Sequence, residues 1–519
     1  DHSERFRFGQ VPLGAKKADL MFLQHMVAVT SDGGRIATVM PHGVLFRGGE
    51  ERAIRAKMIE EDLLEAVIGV APNLFYGTGI PACILVLRQR RQDGANRVSG
   101  KPQGAQGKVL FINADREYFE GRAQNYLMPE HIEKIVNTFD AFKAEPGFSA
   151  IVDIATLKAN DFNLNIRRYA DNAPPPEPHD VRAHLLGGVP KAEVAAKAAL
   201  FKAHGFDPLS LLVARDAKYL EFNTEIGRRE DIKPAIENDA RLLAQEAAIR
   251  AAYETWWAAH SPRITALAGA QSFVALRSDL LGSFSAALEP IGLLGPFQVR
   301  GIVAGFWTQT KNEFLTLMAR GSQGVVDAWR TSIVTALEDK ASKEKPLEHK
   351  LVKLLMGGFV GEIEALEAKK LELDTLIKVA SPDKKAAAED GDDAAEAGDG
   401  DADDDEEKEA VDEAQLKAWK KELAALKKTL KAKNDSLTAE LNKAVDGQSP
   451  QTAAELLLTI LHNDMQRIVE RYIGQQRQEI VAAFENWWDK YKLTLTEIEC
   501  ERDAAATALQ GYLKGLGYV

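Results

Sequence analysis

Few residues in this chain have both the type and the spacing that chemistry needs. Its ten histidines are scattered. None forms an HExxH helix signature or another pairing that would hold a metal, so no metal site is expected. Two cysteines, Cys83 and Cys500, exclude a disulfide framework and a cysteine-rich zinc centre. There is no GxSxG elbow, no phosphate-binding P-loop and no GxGxxG turn following a strand. The run Asp171-Asn172-Ala173-Pro174-Pro175-Pro176 superficially resembles an Asp/Asn-Pro-Pro-aromatic loop, but the aromatic is missing and the surroundings read as a linker. Two clusters remain with residue types that suit a binding site. One is Pro41-His42-Gly43. The other is Leu74-Phe75-Tyr76-Gly77-Thr78-Gly79-Ile80-Pro81, two aromatic rings in a loop with two glycines. On residue type alone, Phe75 reads as core and Tyr76 as a loop-lining ring.

The elements around these clusters read as α/β. Arg35–Met40, Ala66–Val70, Ala82–Leu87 and Val109–Ile112 are short apolar runs that fit strands of a sheet covered on both faces. A helix over Glu50–Leu64 lies between the first two, in strand–helix–strand order. Further helices are predicted over Asp19–Val29 and Pro129–Phe142. Pro41 and His42 then follow the first strand directly. Ligands gather at the carboxyl ends of strands in open α/β sheets. Arg88, Arg90 and Arg91 close the strand over Ala82–Leu87 and are candidate contacts to DNA phosphates, as are Arg167 and Arg168.

Beyond residue 170 the character changes. Residues 171–190 are rich in Pro and Gly and read as a linker or surface loop. Residues 191–345 read as a helical domain with core aromatics at Trp256, Trp257, Phe306, Trp307 and Trp329. Leu416, Trp419, Leu423, Leu426, Leu430, Leu437 and Leu441 fall at heptad steps, and Ile363, Leu366, Leu373 and Ile377 form a shorter seam. An antiparallel coiled-coil hairpin of 346–380 and 414–446 is predicted. The segment 381–413 between the two arms reads as a disordered acidic tether. Helices are expected over 447–519, including Glu479–Tyr491 with Trp487 and Trp488. The fold class is therefore α/β followed by all-α.

Charge and composition agree with a folded protein. Apolar residues make up 45% of the 519 and the net charge is −12. Residues 389–413 alone hold 15 acids and one lysine, and the remaining 62 acids and 64 bases nearly cancel. That balance neither advertises nor forbids a nucleic-acid partner. With no apolar run long enough to cross a bilayer and a charged opening at Asp1-His2-Ser3-Glu4-Arg5, the expectation is a cytoplasmic protein without a membrane partner. The missing initiator Met fits a fragment or a processed piece.

Taken in order, Gly33-Gly34-Arg35, Pro41-His42-Gly43-Val44-Leu45-Phe46, the following helix and strand, and Leu74–Pro81 resemble the C-terminal half of the catalytic domain in adenine-N6 DNA methyltransferases. More closely, they resemble the modification (M, HsdM-type) subunit of type I restriction-modification systems. Arg5–Gly9, Ala18–Met26, Arg122–Leu127, Asn160–Tyr169, His179-Asp180-Val181, Gly187-Gly188-Val189-Pro190, Trp488–Tyr491 and Leu516-Gly517-Tyr518 extend the likeness over most of the chain.

The resemblance implies a partial Rossmann-like sheet and a subunit that methylates adenine N6 from S-adenosylmethionine, in complex with a specificity (S) subunit and in some systems a restriction (R) subunit. It places Phe75, with neighbouring Tyr76, where a flipped adenine stacks, and makes Pro41 and His42 the pocket wall. His42 is then a wall or turn residue, because that chemistry requires no base. Leu423, Leu426, Leu430, Trp487 and Trp488 become candidates for S-subunit docking.

The family's FxGxG cofactor loop and its Asn-Pro-Pro-Phe/Tyr loop do not occur in these residues. No catalytic residue is therefore expected within the chain, most of the cofactor site is expected upstream of it, and the chain alone is expected to be inactive. A non-catalytic α/β and coiled-coil interaction scaffold is the alternative.

Overall fold

A computed structural model describes residues 3–11, 18–173, 178–268, 272–339, 345–380 and 413–518. The acidic tether 381–413 falls outside them, apart from the first backbone position of the helix that follows. Contacts divide the chain into two compact units, residues 1–259, 277–309 and 465–519, and residues 260–276 and 310–464.

The first unit is built on a five-stranded sheet. Its strands are β1 (Arg35–Pro41), β2 (Leu64–Val70), β3 (Ala82–Arg88), β4 (Lys108–Ala114) and β5 (Ser149–Asp153), in the spatial order β1-β3-β2-β4-β5. β2 and β4 are parallel. β3 runs antiparallel to both β1 and β2 and lies between them. Consequently β1, β2 and β4 all point the same way.

Side chains alternate between two cores. Val67, Leu85 and Phe111 face α1 (Asp19–Val29) and α2 (Gly49–Glu60). Ile68, Val86, Leu110 and Ile112 face α3 (Pro129–Ala141) through Ile135. Burial on both faces explains why these strands are almost continuously apolar.

Three expectations need correction. The helix predicted to reach Leu64 ends at Glu60, because Asp62 takes a left-handed conformation (φ 59°) and Leu63 N–H bonds back to Met58 O. That turn lets Leu64 begin β2. β5 was not foreseen, since Ser149–Asp153 is only five residues long and alternates in burial. Nor are residues 178–190 a linker: α4 (Val181–Leu186) is followed by Val189–Pro190, which pairs with Tyr219–Phe222 in a small three-stranded sheet completed by Leu212–Ala214. The region 191–345 is thus not purely helical.

Behind the small sheet pack Phe201, Phe206, Phe222, Phe484, Trp487 and Tyr491. His204 beside them is 0% exposed, and among the described residues neither of its ring nitrogens has a hydrogen-bond partner. Burial holds its pKa below the usual histidine value, against the field of Glu246 and with that of Arg477. The folded state therefore disfavours the protonated ring, while the unfolded chain takes up the proton freely. Stability from this source is present above about pH 6.5 and is lost as the pH falls below it. The melting temperature is expected to drop between pH 7 and 5. His204→Leu should flatten that drop, and an unchanged slope would refute the assignment.

α5 (Pro296–Glu338), α6 (Gly357–Ala380), α7 (Glu413–Asp446), α8 (Pro450–Tyr491) and α9 (Leu495–Gly515) follow in the chain. In the second unit α6 packs on α7. Leu373 meets Leu423 and Leu426, with Leu366, Ile377 and Trp419 at the margin. Lys369 pairs with Glu422 and Lys433 with Glu362, so the two helices run antiparallel. In the first unit Gly301 and Gly305 of α5 form a notch for Pro129 and Glu130 at the start of α3, and Tyr472 of α8 donates a hydrogen bond to Glu130. Among the described residues no helix is long and apolar enough to cross a membrane.

Candidate functional site

Because β1, β2 and β4 are parallel in direction, the segments that follow them meet at one end of the sheet. β1 leads into the turn His42–Leu45, β2 into the loop 71–81 and β4 into Asp115. The antiparallel β3 starts at the same end with Ala82, opposite Pro41.

His42 Nε2 lies 3.0 Å from Ala82 O. A carbonyl only accepts, so Nε2 carries the proton and is not free to take another. Burial lowers the His42 pKa, while the Ala82 carbonyl and Asp115 oppose the shift. The ring is therefore a neutral wall anchored to β3, joined to Pro41 at the mouth of the sheet.

Loop 71–81 is held at its base and open at its tip. Asn125 donates its backbone N–H to Asn73 O and its side-chain amide to Pro72 O. Phe75 bridges to Thr78, and Thr78 Oγ1 accepts from Ile80 N–H. Gly77 has φ 74° and nothing within 4 Å of a hypothetical Cβ, so it is needed for its backbone conformation rather than for close approach. Phe75 is 43% exposed and Tyr76 90% exposed. Phe75 is thus not a core residue, contrary to the reading from residue type alone, while Tyr76 lines the loop. Two rings facing solvent on a braced loop are suited to stacking on a planar ligand.

The structure also brings in side chains that sequence reasoning had not assigned to this end. The stretch 163–172 crosses the face of the sheet, with Ile166 seated on Gly69 and Asn113 donating to Ala170 O at 2.8 Å. It carries Arg167 to Asp115, 2.8 Å away, and Asn172 to the same carboxylate. The Asp115 hydrogen bond raises the Arg167 pKa. The run Asn160–Tyr169 had stood out in the sequence, but nothing in it shows that the chain folds back over β2 and β4.

Arg55 of α2 positions the wall from beneath. Its buried guanidinium donates to Phe162 O, Val44 O and Arg47 O at 2.8–3.1 Å. Burial pushes its pKa down to about 10.

The arginine candidates lie elsewhere. β3 is antiparallel, so Arg88 pairs across from Arg35, at the amino end of β1. Seven residues of strand put it about 20 Å from Pro41. Arg88 also turns inward to Glu65 at 3.4 Å and to Gly33 O. The Arg88 guanidinium thus lies beside a buried carboxylate. Arg90 bonds to Arg97 O, and Arg91 is exposed in the hairpin of Arg91–Asp93 and Asn96–Val98. None of the three is near Phe75.

The docking candidates lie largely inside the fold. Leu423, Leu426 and Leu430 are buried in the chain's own hairpin. Trp487 is buried against Phe201 and Phe484, and Trp488 lies edge-on to Phe222 at 4.9 Å. Burial inside the fold removes Trp487 from any external surface.

α9 has no buried residue. Its Leu495, Ile498, Ala505, Leu509, Tyr512 and Leu516 follow a heptad pattern with Arg502 inside it. That pattern was available in the sequence and was missed because alanine and arginine dilute it. A capping box of Thr494 and Glu497 starts the helix, and Thr496 Oγ1 donates to Leu185 O at 2.9 Å.

The residues present do not fit a complete S-adenosylmethionine site. β1, β2 and β4 lead into Pro41-His42, Ala71-Pro72 and Asp115-Arg116, and none opens a glycine-rich turn against which such a cofactor could lie. Among the described residues no group of three or more His, Cys, Asp or Glu is placed to hold a metal ion.

Residues 1–177 match the family model described as N-6 DNA Methylase. The chain is 40% identical over 134 residues to the type I restriction enzyme MjaVIII methylase subunit of Methanocaldococcus jannaschii, covering 25% of this chain and 22% of that one. It is 30% identical over 166 residues to the type I restriction enzyme MpnII methylase subunit of Mycoplasma pneumoniae, covering 32% and 28%. A solved type I restriction-modification methyltransferase subunit from Streptococcus thermophilus shares 36% identity over 33% of each chain, with a TM-score of 0.28. The chain thus spans about a quarter of the length of the two relatives named. Residues 1–177 are thus similar to the N-6 DNA methylases, and among them to the methylase subunits of type I restriction enzymes.

Proposed function

We propose that this chain is the target-base and subunit-docking part of a type I DNA adenine methyltransferase. The complete subunit would transfer a methyl group from S-adenosylmethionine to adenine N6 in DNA. The cofactor loop and the Asn-Pro-Pro-aromatic loop would come from a part of the subunit outside these 519 residues, since neither occurs here. The sheet would then be the C-terminal half of a Rossmann-like methyltransferase sheet. One observation carries the reading: Phe75 and Tyr76 stand exposed on a braced loop at the same sheet end as the neutral His42 wall.

A base within a duplex must leave the stack before its amino group can be reached. Phe75 offers the flipped adenine a face, and His42 with Pro41 limits the pocket without moving a proton. The experiment is to reconstitute the complete subunit with its specificity subunit and measure N6-methyladenine in duplex DNA. Absence of methylation, or methylation of cytosine, overturns the reading.

α9 supplies the second part of the proposal. The helix meets α4 at its start, while Leu509, Tyr512 and Leu516 further along its heptad face are exposed, and helix-in-groove docking to a helical segment of a specificity subunit would cover them. Leu509→Asp combined with Tyr512→Asp is expected to weaken that association at least about tenfold, the cost of losing two apolar anchors. The melting temperature of the chain should stay unchanged, because the face buries nothing here. Wild-type affinity in a titration of the two subunits would remove α9 from the interface.

A further inference from the structure

The hairpin carries a charge asymmetry that its own packing does not use. Lys417, Lys420, Lys421, Lys427, Lys428 and Lys431 of α7 are all exposed. At 100° per residue they fall within about 120° of the helix circumference, beside the leucine seam. No acidic residue shares that arc between 417 and 431. Asp374 of α6 reaches its edge, 3.9 Å from Lys427. The hairpin's closer ion pairs lie on the other flank, where Glu422 meets Lys369 at 2.7 Å and Lys433 meets Glu362.

This arrangement works against the helix that carries it. Lys417 with Lys421, and Lys427 with Lys431, are like charges four residues apart, which destabilises a helix. Solubility alone would be met by mixed charge, as on α6. A one-sided cationic stripe maintained at a cost to the helix suits a polyanion. Its length is about 21 Å at 1.5 Å per residue, room for about six phosphates of one strand at 3.4 Å along a duplex.

We propose that the lysine stripe of α7 binds the phosphate backbone of duplex DNA, without reading its sequence. The choice of DNA over other polyanions rests on the proposed function; the stripe itself does not. The stripe shares no residue with the loop that carries Phe75, and contacts of this kind to phosphates carry no sequence information.

The test uses the 519-residue chain, without cofactor or specificity subunit, and a fluorescent 30-base-pair duplex of arbitrary sequence. Failure of methylation therefore cannot mimic failure of this contact. Fluorescence anisotropy at several salt concentrations should show binding that weakens steeply with salt. Replacing Lys417, Lys421, Lys428 and Lys431 by Gln, a good helix former, should reduce the salt slope by roughly 3 to 4, at about 0.9 per phosphate contact, and weaken binding more than about tenfold near 100 mM salt. The same four positions changed to Arg should retain both affinity and slope, which separates charge from folding. No binding by the unaltered chain, or an unchanged slope in the Gln variant, overturns the proposal. Binding that emerges only after deletion of the acidic residues 383–412 overturns it too, since the stripe would then be serving the chain's own anionic segment.

Discussion

Phe75→Ala in the complete subunit is expected to lower methyl transfer to duplex DNA by roughly 5- to 150-fold. The estimate follows from about 1–3 kcal/mol for stacking a base on an aromatic side chain, at about tenfold per 1.4 kcal/mol. The ring is free to be used, because it stands 43% exposed on a loop whose base is fastened by Asn125. The substitution should therefore leave the unfolding free energy within about 0.5 kcal/mol of the parent, as for a surface site. Phe75→Trp should keep most of the activity, since it keeps a face. S-adenosylmethionine affinity should not change, because no cofactor contact is assigned to this loop. Methyl transfer by Phe75→Ala at the parent rate would exclude stacking at this position. A parallel loss of cofactor affinity would show that the loop shapes the other pocket instead.

Arg55→Leu is expected to destabilise the chain by about 3–5 kcal/mol. Its guanidinium is 4% exposed and holds three backbone carbonyls, those of Phe162, Val44 and Arg47. Leucine fills part of the volume but leaves those acceptors unsatisfied, at about 1–3 kcal/mol for each that stays dry. Arg55→Lys should recover only part of the loss, because an ammonium cannot reproduce the planar fork. The damage should reach the site, since Val44 belongs to the His42 turn and Leu164 N–H bonds to the adjoining Leu45 O. Urea unfolding of the chain checks the prediction, and a loss below about 1 kcal/mol would show that water replaces the guanidinium.

Much of the α/β part was legible because its signals are local. Four strands appeared as short apolar runs within two residues of their observed bounds, since strands buried on both faces have no room for polar alternation. Trp256, Trp257, Phe306, Trp307 and Trp329 are buried as expected, since rings of that size are costly to expose. The exposure of Phe75 was not legible in its residue type. Its residue type pointed to the core, and a braced loop is a tertiary object.

The sequence by itself determined the periodicities: apolar runs for strands, the heptad seam of α7 and the segregation of acids into 389–413. These depend on neighbours a few residues away, where the chain's own geometry sets the pattern. Tertiary structure decided direction and partnership. It laid β3 antiparallel between β1 and β2, which carried Arg88 to the far end of the sheet and into a buried pair with Glu65. It folded 163–172 over the sheet to bring Arg167 and Asn172 to Asp115. It took Trp487 into the core and left α9 without a buried residue. An amphipathic stripe says that a face will be covered but not by what, because apolar contact is non-directional. The choice between the chain's own core and another molecule was made only when distant segments competed for the same surface.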